Sequence, residues 1–363
     1  FLDSIVSIRD AISVALVEIA VGVVAGNLLN LETTPWANFL AALGSVVLTF
    51  LAGAEIDPSS FKANMKTSLA IGTVAFLFPF LGAAAFAYYV LGWSSPASWI
   101  AGIALSTTSV AVVYAVMVET GLNDSALGKM VLAACFVNDL GTVLALGLIF
   151  AGFSVWMGAF VAATALAVAV LPNLTRKMVA GFGGRVQAAE IKLLLLVLFA
   201  LGALAGQARS EAVLPAYVLG LAVAGLLQEQ QELVRRLRIL TFALLTPFFF
   251  VRAGLLVSVP AMVTNFGLVA AFFAVKMATK IIGVRPLTAW FGYPSREGNY
   301  VTGLMSTGLT FGTISALYGL THAIIDRAQY SVLVTVVILS AVLPTLVAQR
   351  YFRPEFQPEQ PAV

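Results

Sequence analysis

Asp139 has the strongest chemical claim in this chain. It stands inside the run Val131–Ile149, flanked on each side by about ten apolar or small residues. In a bilayer that register puts the carboxylate near the midplane, where a charge costs about 2.5–3.5 kcal/mol to insert. A charge kept at that cost is read as part of an ion or proton pathway. Asn138 precedes it and offers a neutral oxygen. Oxygen ligands suit hard monovalent cations, and the sequence shows no cluster of soft ligands. A carboxylate beside a water path can hold a proton or a metal cation in turn, and that competition suffices for exchange.

Two polar interruptions lie at the same depth in other apolar runs. One is Ser106-Thr107-Thr108-Ser109. The other is Ser306-Thr307-Gly308-Leu309-Thr310-Phe311-Gly312-Thr313. Glycines among β-branched residues weaken a helix, and unwound backbone is tolerated there only when buried or lining a cavity. Two broken helices crossing at this point would aim half-helix ends at one place, with freed carbonyls and hydroxyls to coordinate a cation. The plainer alternative is that Ser, Thr and Gly serve close helix packing.

Lys276 and Lys280 lie one turn apart and share a helix face. Either could pair with Asp139 or offset the dipole ends of the broken helices, and a buried lysine could itself release protons. Snorkelling to the interface is the alternative, stronger for Lys280. Arg252 reads as structural or interfacial. Glu18 reads as scaffold, with a place in a cytoplasmic funnel as the alternative, and Gly22 with Gly26 forms a small-residue packing pair.

These residues need elements to hold them. The 363 residues are 60% hydrophobic and 10% charged, whereas a soluble domain carries about 25% charge. The expected fold is an all-α polytopic membrane protein of about twelve spans. These are 13–30, 36–54, 67–92, 97–118, 127–152, 154–174, 191–208, 212–228, 239–257, 262–284, 299–320 and 328–349. The ten-residue alternation of a β-barrel is absent. One cysteine, Cys135, and one histidine, His322, exclude a disulfide framework and a Cys- or His-rich metal motif. No phosphate loop or nucleophile elbow occurs, which points away from an enzyme, a cofactor and ATP. The net charge of +3 fits loop placement and no nucleic-acid partner.

With twelve spans, one side collects Arg9, Lys62, Lys66, Lys129, Arg176, Lys177, Arg185, Lys192, Arg235, Arg236, Arg238, Arg285, Arg296, Arg350 and Arg353, and the other only Arg209 and Arg327. That asymmetry predicts cytoplasmic termini. An internal repeat offset by about 200 residues relates Phe50–Asp57 to Phe250–Ser258, Ala25–Leu29 to Ala224–Leu227 and Ser106–Ser109 to Ser306–Thr310. Partners lie an odd number of spans apart, so the copies are inverted, an arrangement typical of secondary transporters with a midplane site.

The chain resembles the monovalent cation:proton antiporters of the Na+/H+ and Kef-type K+/H+ branch over essentially its whole length. The resemblance is carried by Phe50–Asp57, Ala104–Val110 with Glu119-Thr-Gly121, Asn138-Asp139, Pro247–Gly254, Lys276-Met-Ala-Thr-Lys280 and Ser306–Gly312. It implies a core ion-translocation domain of about 67–152 and 262–349. It also implies a scaffold and homodimerisation domain of about 10–55 and 191–257, with a linker helix at 154–174. These would form one transmembrane unit over 1–350, followed by a polar Pro-rich tail at 351–363. It implies Asp139 as the ion- and proton-binding carboxylate, with Asn138, Thr107, Thr108, Ser109 and Thr310 around it. The basic core residue falls on Lys276 or Lys280.

Two departures stand out. Electrogenic members often carry two aspartates where this chain has Asn138-Asp139, so one-for-one, electroneutral exchange is expected, although Asn-Asp members often carry arginine rather than lysine. Related bacterial proteins often have thirteen spans, and Kef-type ones a cytoplasmic nucleotide-binding domain. A further helix before Phe1 and a regulatory domain beyond Val363 are therefore expectations. The resulting reading is exchange of Na+ or K+ for H+ across the cell inner membrane by a multi-pass homodimer in the lipid bilayer. A K+ efflux channel-like protein and a sodium-coupled organic-anion symporter are the alternatives.

Overall fold

The structure, a computed structural model, describes residues 14–54, 65–122, 125–150, 155–182, 189–208 and 212–354. All regular structure among them is helical. In chain order the helices begin with α1 (Val14–Leu28), α2 (Pro35–Ala54) and α3 (Met65–Ala85). The first broken pair follows, α4 (Ser95–Ser106) and α5 (Val110–Thr120), then α6 (Ala126–Ile149) and α7 (Val155–Phe182). Next come α8 (Ala189–Gln207), α9 (Val213–Glu229), α10 (Gln231–Leu240), α11 (Thr246–Leu255) and α12 (Val259–Thr264). The chain then forms α13 (Phe266–Trp290), a second broken pair α14 (Ser295–Met305) and α15 (Thr310–Thr321), and α16 (Arg327–Val347). Wider π turns extend α3 at Phe86–Val90 and α16 at Ala348–Phe352, and join α10 to α11 at Thr241–Leu245.

Among the described residues, every interval expected to span is mainly helix, with breaks at 107–109 and 307–309. Among the described residues, eight helices are long and apolar enough to cross a membrane. The ends differ from the expectation where a helix outruns its apolar stretch. The helix expected from residue 239 starts at Gln231, because α10 is amphipathic: Leu233 and Leu237 are buried while Arg235 and Arg236 are exposed and bind Glu232. Hydropathy marks the apolar slab, but helical hydrogen bonding continues past it while one face still packs. Glu55 and Asp57 of the repeat match, the basic residues Arg9, Lys62, Arg185 and Arg209, and the tail after Pro354 lie outside the described residues.

The described helices fall into two compact units. One holds α3, α4, α5, α6 as far as Thr142, and α12 to α16. Its core gathers Ile71, Met117, Met130, Cys135, Tyr300 and Met305. Here α3 packs on α4 and α13, and α15 packs on α4 and α16. The helix α6 lies close on α3, for a Cβ at Gly72 would meet the Ala134 carbonyl and one at Gly141 the Phe76 ring.

The other unit holds α1, α2, the end of α6 and α7 to α11, around Phe50, Leu51, Leu198, Leu219, Val223 and Leu245. Its tightest crossings have glycine on both sides: Gly22 against Gly254 between α1 and α11, and Gly53 against Gly220 between α2 and α9. In lipid, with no hydrophobic drive between helices, such close backbone approach supplies the packing. A side chain at Gly254 would meet the Ile19 carbonyl and the Gly22 Cα, neither of which can swing aside. Gly254→Val should therefore cost about 1–3 kcal/mol, read as a lower unfolding temperature in detergent.

Candidate functional site

The two broken helices are twins in register. Ser95 and Ser295 open their first halves and Val110 and Thr310 their second, 200 residues apart each time. Between the halves the backbone is not helical over Thr107–Ser109 and Thr307–Leu309. These gaps meet. The Thr108 hydroxyl donates to the Met305 carbonyl at 2.8 Å, and the Ser109 N–H to the Thr307 hydroxyl at 3.3 Å. Ser109 also caps α5, its Oγ accepting the Val112 N–H at 3.4 Å.

A broken helix exposes carbonyls that have no partner one turn on, and there the negative end of its first half faces the positive end of its second. In this unit the partners are side chains. The Ser106 carbonyl, at the end of α4, accepts from the Lys280 ammonium at 2.8 Å and from the Asn138 amide at 3.2 Å. The Asn138 Oδ1 accepts the Thr108 N–H at 2.9 Å, so one amide closes both edges of the gap. Lys280 also donates to the Thr108 hydroxyl at 3.0 Å. Lys276 donates to the Thr107 carbonyl at 3.4 Å and to the Ser340 hydroxyl at 2.9 Å. Room for that ammonium comes from Gly308, where a Cβ would collide with it.

Asn138, Asp139, Lys276 and Lys280 are all buried, Asp139 with 1% of its surface exposed. The Asp139 Oδ1 has no hydrogen-bond partner. A buried carboxylate oxygen left open is costly, and among the described side-chain atoms of this cluster it is the one with no hydrogen-bond partner.

The structure thus brings together Asn138, Asp139, Thr107, Thr108, Ser109, Lys276 and Lys280. Neither lysine forms a direct ion pair with Asp139. Each donates to a carbonyl at the first break, Ser106 for Lys280 and Thr107 for Lys276, which is the dipole-offsetting role, and each gives a second bond to a hydroxyl, Thr108 and Ser340 in turn. Their full burial rules out snorkelling. Thr310 opens α15 but no hydrogen bond joins it to the cluster. Glu18 and Arg252 belong to the other unit.

Sequence reasoning missed Ser340, a small hydroxyl in an apolar helix with no distinguishing signal. It also missed one signal that was there. At the repeat offset, Lys276 and Lys280 correspond to Phe76 and Phe80, which stack at 5.2 Å. The two copies have divided the work, one bringing the acid and the other the bases.

Comparison with known proteins agrees with this architecture. The family described as "Sodium/hydrogen exchanger, transmembrane" matches residues 4–353, and this chain belongs to that family. "Probable Na(+)/H(+) antiporter 3" of Methanocaldococcus jannaschii is 25% identical, the match covering 94% of this chain and 89% of that protein. "Na(+)/H(+)-K(+) antiporter GerN" of Bacillus cereus is 22% identical over 86% of this chain and 82% of its own. "Putative Na(+)/H(+) antiporter YjbQ" of Bacillus subtilis is 25% identical, and the match covers 96% of this chain but 61% of that longer protein. Among solved structures, the sodium proton antiporter MjNhaP1 of Methanocaldococcus jannaschii at pH 8 superposes with a TM-score of 0.68. That match has 14% identity and covers 92% of this chain and 90% of that one. The chain has the fold of a polytopic membrane protein.

Asn138→Ala tests the closure of the gap. It leaves the Thr108 N–H without its partner and removes one donor from Ser106, at about 1–3 kcal/mol for a buried group left unpaired. A fall in unfolding temperature of the detergent-solubilised protein should report it, larger than for Thr142→Ala, whose hydroxyl only returns to the Asn138 carbonyl on its own helix.

Proposed function

We propose that this chain exchanges a monovalent cation, Na+ or K+, for protons across the cytoplasmic membrane by alternating access. The observation that carries the reading is Asp139: fully enclosed, one oxygen open, in the same cluster as the crossed helix breaks, where Asn138 and Lys280 are bound to the backbone. Such a carboxylate needs a positive partner, and a proton and a bare cation both serve. Membership of the exchanger family supports the same chemistry.

In this mechanism, the protonated carboxylate gives its proton to one side and then takes a cation from that side. Asn138, Thr107, Thr108 and Ser109 supply neutral oxygens near it, with Thr310 further along the second break. Lys280 and Lys276 hold the α4 carbonyl end rigid, and Lys280 keeps the local charge from favouring permanent occupancy. Only the occupied, neutral site crosses, because a bare charge in low dielectric is costly. Asp139 is the one carboxylate of the cluster, so the count is one proton per cation and the cycle is electroneutral.

The unit carrying Asp139 would be the moving one and the glycine-crossed unit the scaffold. Twelve crossings, with each broken pair counted once, put both termini in the cytoplasm by the distribution of basic residues. The family resemblance supports a homodimer.

Proton flux from vesicles holding a pH gradient tests the reading. Added Na+ or K+ should collapse the gradient with wild type, and an imposed membrane potential should leave the rate unchanged. Asp139→Asn should bring the flux down to that of empty vesicles. Wild-type protein that responds to neither ion would overturn the proposal.

A further inference from the structure

The sequence shows no soft-ligand cluster, but the fold makes one. Cys135 on α6 and Met305 at the end of α14 are 170 residues apart in sequence, and the thiol donates to the thioether sulfur across 3.8 Å. Both side chains have no exposed surface. Cys135 lies one helical turn before Asp139 on the same helix, and the Asp139 Oδ1 is buried and unpartnered.

We propose that Cys135 and Met305 form a binding site for a soft monovalent cation, Ag+ or Cu+, with Asp139 as a weaker third ligand. Thiolate and thioether together select such ions over Na+, K+ and Mg2+. A sulfur–sulfur gap of this size admits one ion bound by both with a small side-chain adjustment, which the unbranched methionine allows. On binding, the Cys135 S–H bond breaks, an S–metal bond forms and the proton leaves to water. Met305 contributes a lone pair, and no electron changes hands. The ion is monovalent, so the route that feeds Asp139 also feeds this site, a step that rests on the exchange reading. Replacing the thiol proton leaves the net charge of the site unchanged, so the ion acts by coordination: bound to both sulfurs, it takes up the open Asp139 oxygen and excludes the transported cation. The exchanger is stalled until a thiol competitor removes the ion.

The test uses Ag+ in chloride-free nitrate buffer, with two readouts. Equilibrium dialysis of the purified protein should give one tightly bound Ag+ per chain. Cys135→Ser and Met305→Leu should each weaken it at least tenfold. In vesicles, Ag+ should inhibit exchange, with the half-inhibitory concentration raised at least tenfold in both variants when each is scaled to its own uninhibited rate, and dithiothreitol should restore activity. Tight binding retained in Met305→Leu would show a thiol acting alone and overturn the paired site. Binding without inhibition would overturn the stalling step. Absence of exchange in the untreated wild type would instead count against the functional reading and leave the dialysis result standing.

Discussion

Interrupting a helix inside a membrane frees backbone groups that water cannot satisfy, and this constraint organises the unit that holds Asp139. Ser106, Thr107 and Met305 present carbonyls at the breaks, and Thr108 and Ser109 present N–H groups. Each finds a partner on another helix: Lys280 and Asn138, Lys276, the Thr108 hydroxyl, Asn138 again, and Thr307. The breaks are therefore fixed points. Residues that look like ion ligands by type are, in this geometry, largely the means by which the backbone is kept satisfied.

That division explains why one carboxylate oxygen remains open. The lysines are committed to carbonyls and hydroxyls, the asparagine to both edges of one gap, and the hydroxyls donate to neighbouring backbone. A fully paired Asp139 would be a structural ion pair, stable and inert. With the lysine nitrogens held on the carbonyls and hydroxyls of the break, neither makes contact with the carboxylate, as the proposed exchange of its partner requires. The sulfur pair belongs to the same unit and fills core volume among Ile71, Met130 and Tyr300.

The two units solve packing differently. Glycine faces glycine at both principal crossings of one unit, so helix backbones touch there. In the other unit, buried threonines, serines, lysines and an asparagine are threaded through the core. A polar interior is tolerated only when each member is satisfied, and the hydrogen-bond network around the breaks meets that demand.

Much was legible in the chain itself. Apolar runs longer than a bilayer is thick gave the helices, since nothing else buries so continuous a stretch. Asp139 was conspicuous because a lone charge in such a run is costly. The two Ser/Thr interruptions showed where the helices break, because small and β-branched residues weaken them there. What the sequence left open, the tertiary structure decided. The direction of Lys276 and Lys280 depended on which half-helix end lay within reach of a lysine's length. Ser340, Thr307 and the Cys135–Met305 pair became neighbours only through contacts across roughly 60 to 200 residues. Composition and periodicity describe one helix at a time, and these interactions belong to the crossing of several.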